Sequence, residues 1–129
     1  MSGESILVVD DNATNVQLVS FMLESAGYEL HTATDANEAL SVLRDWAPKL
    51  ILMDLQLPGM GGLELTRRLK ADSRTRDIVI VALTASAMKG DEQKALDAGC
   101  DGYISKPIAT RTFLHIVSEY LARGPLSAA

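Results

Sequence analysis

In Leu50-Ile51-Leu52-Met53-Asp54-Leu55-Gln56-Leu57-Pro58-Gly59-Met60-Gly61-Gly62, an apolar run stops at one acid and gives way to a Pro/Gly turn. A short unbroken apolar run reads as a strand buried on both faces, the habit of parallel sheets covered by helices. Asp54 then stands at the C-terminal end of that strand. In open parallel sheets, ligands and chemistry collect at this edge.

The rest of the chain supplies the other strands. Ser5-Ile6-Leu7-Val8-Val9 is a second apolar run, ended by Asp10-Asp11-Asn12. Residues 13–26 follow as a helix with Val16, Val19, Met22, Leu23 and Ala26 at helical spacing, closed by Gly27. Residues 28–33 alternate and read as an edge strand. Thr34-Asp35 opens the next helix, with Asp35 and Glu38 spaced as a capping box. Its expected inner face is Ala39, Leu40, Leu43 and Ala47, with Pro48 as the stop. After the turn at 59–62 a third helix buries Leu65 and Leu69, while Arg67, Arg68 and Lys70 read as its solvated face. Residues 72–77 are a polar loop. Residues 78–83 are the most strand-like run, ending at Thr84. A fourth helix over residues 88–98 has only a thin stripe of Met88, Ala95 and Leu96 before Gly99. Gly102-Tyr103-Ile104-Ser105 is a fifth strand, ended by Lys106-Pro107. A last helix over residues 110–122 buries Phe113, Val117, Tyr120 and Leu121, and Gly124-Pro125 stops it.

Five alternations of strand and helix predict one α/β domain, a parallel sheet with helices on both faces. The expected boundaries are a domain over 1–124 and a short tail over 125–129. At 129 residues, 47% hydrophobic and 22% charged, the chain is expected to fold around one core without disulfides. The single Cys100 reads as a small buried apolar side chain and suits a reducing compartment. A net charge of −5 argues against nucleic acid or an anionic membrane as the main partner. With no apolar run of membrane-spanning length and no signal-peptide pattern, a cytoplasmic domain is the expectation.

Because all strands of a parallel sheet end on one edge, Asp10, Asp11, Asp54, Thr84 and Lys106 should share a rim. Singly, each is an ordinary polar residue at a strand end. Together they form a constellation that asks for a cation. Two carboxylates about 4 Å apart repel by roughly 4 kcal/mol at an effective dielectric near 20. Raised pKa values, the Lys106 ammonium or a bound divalent ion would relieve that repulsion. Oxygen-only ligands suit Mg²⁺ or a similar hard ion such as Mn²⁺. Lys106 and the Thr84 hydroxyl would supply donors to phosphate oxygens, so the rim can bind a phosphoryl group or accept one as an acyl phosphate.

The chain resembles the receiver domain of two-component response regulators over residues 5–121. The likeness rests on Val8-Val9-Asp10-Asp11-Asn12, Met53-Asp54-Leu55-Gln56-Leu57-Pro58-Gly59-Met60, Ala82-Leu83-Thr84-Ala85 and Tyr103-Ile104-Ser105-Lys106-Pro107. Within the family it looks most like single-domain regulators of the DivK type and the receivers of hybrid kinases. The resemblance implies a flavodoxin-like sheet of order 2-1-3-4-5 in a three-layer sandwich with five helices. It implies Asp54 as phosphoacceptor from a histidine kinase or phosphotransfer protein. Asp11 would bind Mg²⁺ directly, Asp10 would assist, and the backbone carbonyl of Gln56 would be a third protein ligand beside Asp54. Lys106 would pair with the phosphoryl oxygens, Thr84 and Tyr103 would move with them, and Pro107 would follow a cis bond. Output would pass through protein contacts on the face of the fourth helix, fifth strand and fifth helix, with Lys89, Lys94, Arg111 and Glu119 exposed. The protein would act as a switch, as monomer or weak dimer, without turnover of an external substrate. Gly61 stands where many receivers carry Asp, so a looser turn is expected there.

Rival readings fit less well. A flavodoxin-like cofactor module needs a Ser/Thr/Gly-rich loop after strand one, where this chain has Asp-Asp-Asn. An aspartyl-phosphate hydrolase usually carries a second acid shortly after its nucleophile, and Leu55-Gln56-Leu57 follows Asp54 instead. The turn at 59–62 lacks the dinucleotide-binding spacing. A degenerate receiver would have lost members of the acid, Thr84 and Lys106 set. His31, on the edge strand, and His115, on the outer side of the last helix, are not read as ligands or phosphodonors.

Overall fold

The computed structural model describes residues 4–55, 57, 59–84, 91–105 and 110–124. The elements run β1 (Ser5–Val9), α1 (Ala13–Ser25), β2 (Glu29–Ala33), α2 (Ala36–Asp45), β3 (Leu50–Asp54), α3 (Gly62–Ala71), β4 (Val79–Thr84), α4 (Asp91–Ala98), β5 (Gly102–Ser105) and α5 (Phe113–Arg123). The five strands pair in parallel in the order β2-β1-β3-β4-β5. This is the doubly wound, flavodoxin-like order.

Alternate residues along each strand face opposite sides, and each side has its own apolar layer. Leu7, Val9, Ile51, Met53, Ile80 and Ala82 meet α2, α3 and α4 on one side. Ile6, Val8, Leu50, Leu52, Val79, Val81, Leu83 and Ile104 meet α1 and α5 on the other, through Val19, Leu23, Phe113 and Val117. All five residues of β3 are buried, as expected of a central strand. The edge strand β2 buries only Ala33.

Local signals set the element ends. Asn12 caps α1 by accepting from the Asn15 amide at 3.1 Å, and Gly27 follows the helix at φ 91°. At α2 the Asp35 carboxylate accepts from the Glu38 amide at 2.8 Å. Glu38 reaches back one residue further than a capping box requires, to the amide and hydroxyl of Thr34.

Several expectations need correcting. Helix α2 ends at Asp45, with Trp46 already extended, so Ala47 is exposed rather than part of the inner face. Pro48 disfavours helical geometry at Ala47, and the chain has already left the helix at Trp46. On α4, Ala95 and Ala98 are buried, whereas Leu96 is exposed; Met88 lies outside the described residues. On α5, Tyr120 and Leu121 are only half-buried.

Lys70 is not on a solvated face. Its ammonium bonds the Arg76 carbonyl at 3.0 Å, the Ile78 carbonyl at 2.8 Å and the Asp101 carboxylate at 2.9 Å. Asp101 is buried and also accepts from the Ile80 amide at 2.8 Å. The Lys70 stem runs across Gly99, where φ is 111° and a Cβ would stand 2.9 Å from Lys70 Cγ. One side chain thus ties the end of α3, the start of β4 and the α4–β5 turn together.

Candidate functional site

The ladder register builds the site. Val9 pairs with Met53, so Asp10 and Asp54 leave the sheet side by side. Asp54 pairs with Leu83, and Thr84 with Ser105, which carries the same edge across β4 and β5. One carboxylate oxygen from each of Asp10, Asp11 and Asp54 lies within 4.8 Å of the others. Asp10 and Asp54 are 1% and 4% exposed, and Asp11 faces solvent.

The surrounding backbone fixes these groups. The Asp10 amide donates to the Ala33 carbonyl at 3.0 Å, and its Oδ1 accepts from the Asn12 amide at 2.9 Å. This draws the turn into α1 tightly around the acids. The start of α3 abuts the end of β3. A Cβ on Gly62 would overlap the Asp54 carbonyl oxygen and stand 3.0 Å from Leu55 Cα. Only glycine lets the helix approach this closely.

Gly61 plays a different part. Its φ of −70° and ψ of 163° are open to any residue, and a Cβ there would meet only the Leu55 carbonyl oxygen, at 3.9 Å. As the N-cap of α3 it offers no side-chain acceptor. The feature that matters in this turn is therefore Gly62, and the consequence of Gly61 is an uncapped helix start.

The three acids expected at the rim are brought together. Tyr103 lies on β5, half-buried, with its side chain against the α2/α3/α4 layer. Gln56, Lys106, Pro107, Lys89 and the Thr84 side chain lie outside the described residues. Lys94, Arg111 and Glu119 are exposed. His31 is exposed on β2, where its ring meets Trp46 at a centroid distance of 4.2 Å. His115 is exposed on α5, 3.4 Å from Glu119. Neither histidine approaches the acids in the fold. Cys100 is buried, and burial above all pushes its thiol up to about 11. Such a thiol is inert at neutral pH.

Two nearly buried carboxylates beside a third repel one another, and a cation held among them would relieve that repulsion. Every donor in the cluster is oxygen, the set a hard divalent cation selects over softer metals. The residues present fit a metal ion of that kind.

Comparison with known proteins agrees. A family profile described as the response regulator receiver domain matches residues 6–118. The polar-differentiation response regulator DivK of Brucella anthropi is 44% identical over 118 residues, covering 92% of this chain and 96% of that protein. The chemotaxis response regulator CheY4 of Vibrio cholerae superposes with a TM-score of 0.86 at 30% identity, covering 92% of this chain and 98% of that one. The receiver domain of a Pseudomonas aeruginosa sensor histidine kinase, with a magnesium ion coordinated in its active site cleft, also gives 0.86, at 33% identity over 94% of this chain and 99% of that one. The acid cluster, the sheet order and these likenesses converge: the chain belongs to the response regulator receiver domain family of two-component signalling.

Proposed function

We propose that Asp54 accepts a phosphoryl group from a phosphohistidine on a sensor kinase or phosphotransfer protein, and that the change of charge switches a protein-binding face. The observation that carries this reading is the place of Asp54, at the end of the central strand and in one cluster with Asp10 and Asp11. In the transfer, the donor's phosphorus–nitrogen bond breaks as a phosphorus–oxygen bond to Asp54 forms. Asp10, Asp11, Asp54 and the Gln56 carbonyl would hold Mg²⁺ or Mn²⁺. Bound there, the cation would neutralise charge on the carboxylates and on the incoming phosphoryl oxygens. Lys106 and Thr84 would supply the remaining donors to those oxygens. The protein acts on no substrate beyond its phosphodonor.

Helix α1 supports the docking half of the proposal. It begins directly after Asp11-Asn12 and turns Thr14, Gln17, Leu18 and Phe21 outward on one stripe. Leu18, 38% exposed, and Phe21, 70% exposed, give this stripe two apolar side chains that a partner would cover. A phosphodonor seated on that stripe reaches the acids without crossing the sheet. The switched face would be α4, β5 and α5, where Lys94, Arg111 and Glu119 are exposed. Phosphorylation adds roughly −1.5 to −2 charges at the rim, enough to bias a bistable element.

Incubation with acetyl phosphate and Mg²⁺ tests the proposal. The wild-type chain should gain one phosphoryl group and Asp54→Ala none. Equal labelling of Asp54→Ala would remove Asp54 from the role.

A further inference from the structure

Tyr120 connects the two faces of the sheet at its β5 end. Among the described residues β5 ends the sheet, with β4 as its one neighbouring strand. The hydroxyl end of the Tyr120 ring, on α5, packs against Gly102, where a Cβ would overlap its Cε1, Cζ and Oη atoms. The Arg123 guanidinium sits over the same ring, 4.8 Å from its centroid. The ring thus packs closely against the glycine and also carries a cation contact. This aims the hydroxyl at the backbone of Tyr103, 3.3 Å from its amide nitrogen and 3.4 Å from its carbonyl oxygen. The Tyr103 side chain leaves on the opposite side of the sheet, against the layer that contains Ala95 of α4 and Cys100. A group on α5 therefore grips the backbone of a residue whose side chain belongs to the α4 side.

The geometry points to Tyr120 as a positioning residue for the phosphoryl-binding end of β5. Its hydroxyl fixes the backbone of Tyr103, and through it the last residues of β5, where Ser105 pairs with Thr84 at the sheet edge that Asp54 shares. This role rests on the phosphoacceptor reading above. It also makes Gly102 obligatory, since any side chain there would push the ring and its hydroxyl away.

The test separates positioning from packing. Tyr120→Phe keeps the ring, its fit to Gly102 and its stacking with Arg123, and removes only the hydroxyl. Three quantities are compared with wild type: exchange of the Tyr103 amide, phosphoryl uptake from acetyl phosphate, and Mg²⁺ affinity. Exchange should quicken and uptake should slow by about fivefold each, the factor that one net hydrogen bond supplies. Mg²⁺ affinity should not change, because Asp10, Asp11 and Asp54 belong to β1 and β3. A loss in all three would mean general loosening and overturn the role, as would wild-type uptake by Tyr120→Phe. If Tyr120→Phe folds poorly, Gly102→Ala with Tyr120→Ala removes both the overlap and the hydroxyl; uptake at the wild-type rate there overturns the role equally. A wild-type chain that takes up no phosphoryl group overturns the parent reading, and this role with it.

Discussion

Gly62→Ala should damage the protein far more than Gly61→Ala, one residue earlier in the same turn. At position 62 the added methyl overlaps the Asp54 carbonyl oxygen and comes within 3.1 Å of its carbonyl carbon. The crowded atoms are backbone, of Asp54 at the end of the buried central strand and of Leu55 just after it, so none can swing aside. Overpacking of this kind costs about 1–3 kcal/mol. Alanine's helical advantage over glycine, at most about 1 kcal/mol, offsets part of that at a first-turn position. The net loss should be about 1–2 kcal/mol, or roughly 4–7 °C in melting temperature for a domain of this size. Any accommodation also pushes on Asp54 itself, so Mg²⁺ affinity should fall along with stability. At position 61 nothing stands closer than 3.9 Å and φ is ordinary. Gly61→Ala should therefore melt within about 0.5 kcal/mol of wild type. Gly61→Asp, which supplies the missing N-cap acceptor, should gain a few tenths of a kcal/mol, about 0.3. Thermal and urea melts of the three variants decide the matter. If Gly62→Ala melts with the wild type, or Gly61→Ala loses as much, the close approach of α3 to β3 is not what fixes this turn.

Lys70→Met should lower stability by about 3 kcal/mol, because it leaves the buried Asp101 carboxylate without its ammonium. Pairing it with Asp101→Asn, which still accepts from the Ile80 amide, should recover part of that loss in urea titrations; no recovery would contradict the ion-pair account. Cys100 should resist iodoacetamide at pH 8 until the chain is unfolded, since burial holds its thiol protonated up to about 11. The sign follows from its raised folded-state value: the stability this group contributes is fully present below its ordinary 9.0 and is lost as pH rises from there through 11. Rapid labelling of the folded chain at pH 8 would refute it. Asp11→Ala should weaken Mg²⁺ binding by about tenfold or more while leaving the melting curve nearly unchanged, because Asp11 is exposed. Unchanged affinity would remove Asp11 from the metal site.

Much of this was legible in the chain because the informative signals were local. Unbroken apolar runs such as residues 6–9 and 50–53 announce strands buried on both sides, and the acid that ends each run must then reach a common edge. The topology turns three separate carboxylates into one cluster without further information. What escaped is what local signals cannot carry. Lys70 looks like part of a charged helix surface until the fold brings Asp101 beneath it, 31 residues away. Gly61 drew attention as a departure from a familiar pattern, yet its backbone is unremarkable and Gly62 bears the steric constraint. Gly102 and Tyr120 belong together only once α5 lies against β5. In α2, helical periodicity reached as far as Ala47, but Pro48 bars helix at Ala47 and the chain is already extended at Trp46.

Phosphorylation at Asp54, as proposed above, leaves a chemical mark that can be located by residue. Borohydride reduction of the chain after exposure to acetyl phosphate and Mg²⁺ converts an aspartyl phosphate to homoserine, and peptide mass mapping then locates it. Homoserine is expected at position 54, and not when Mg²⁺ is withheld. Homoserine at Asp10, Asp11 or any other acid, with Asp54 intact, would contradict it.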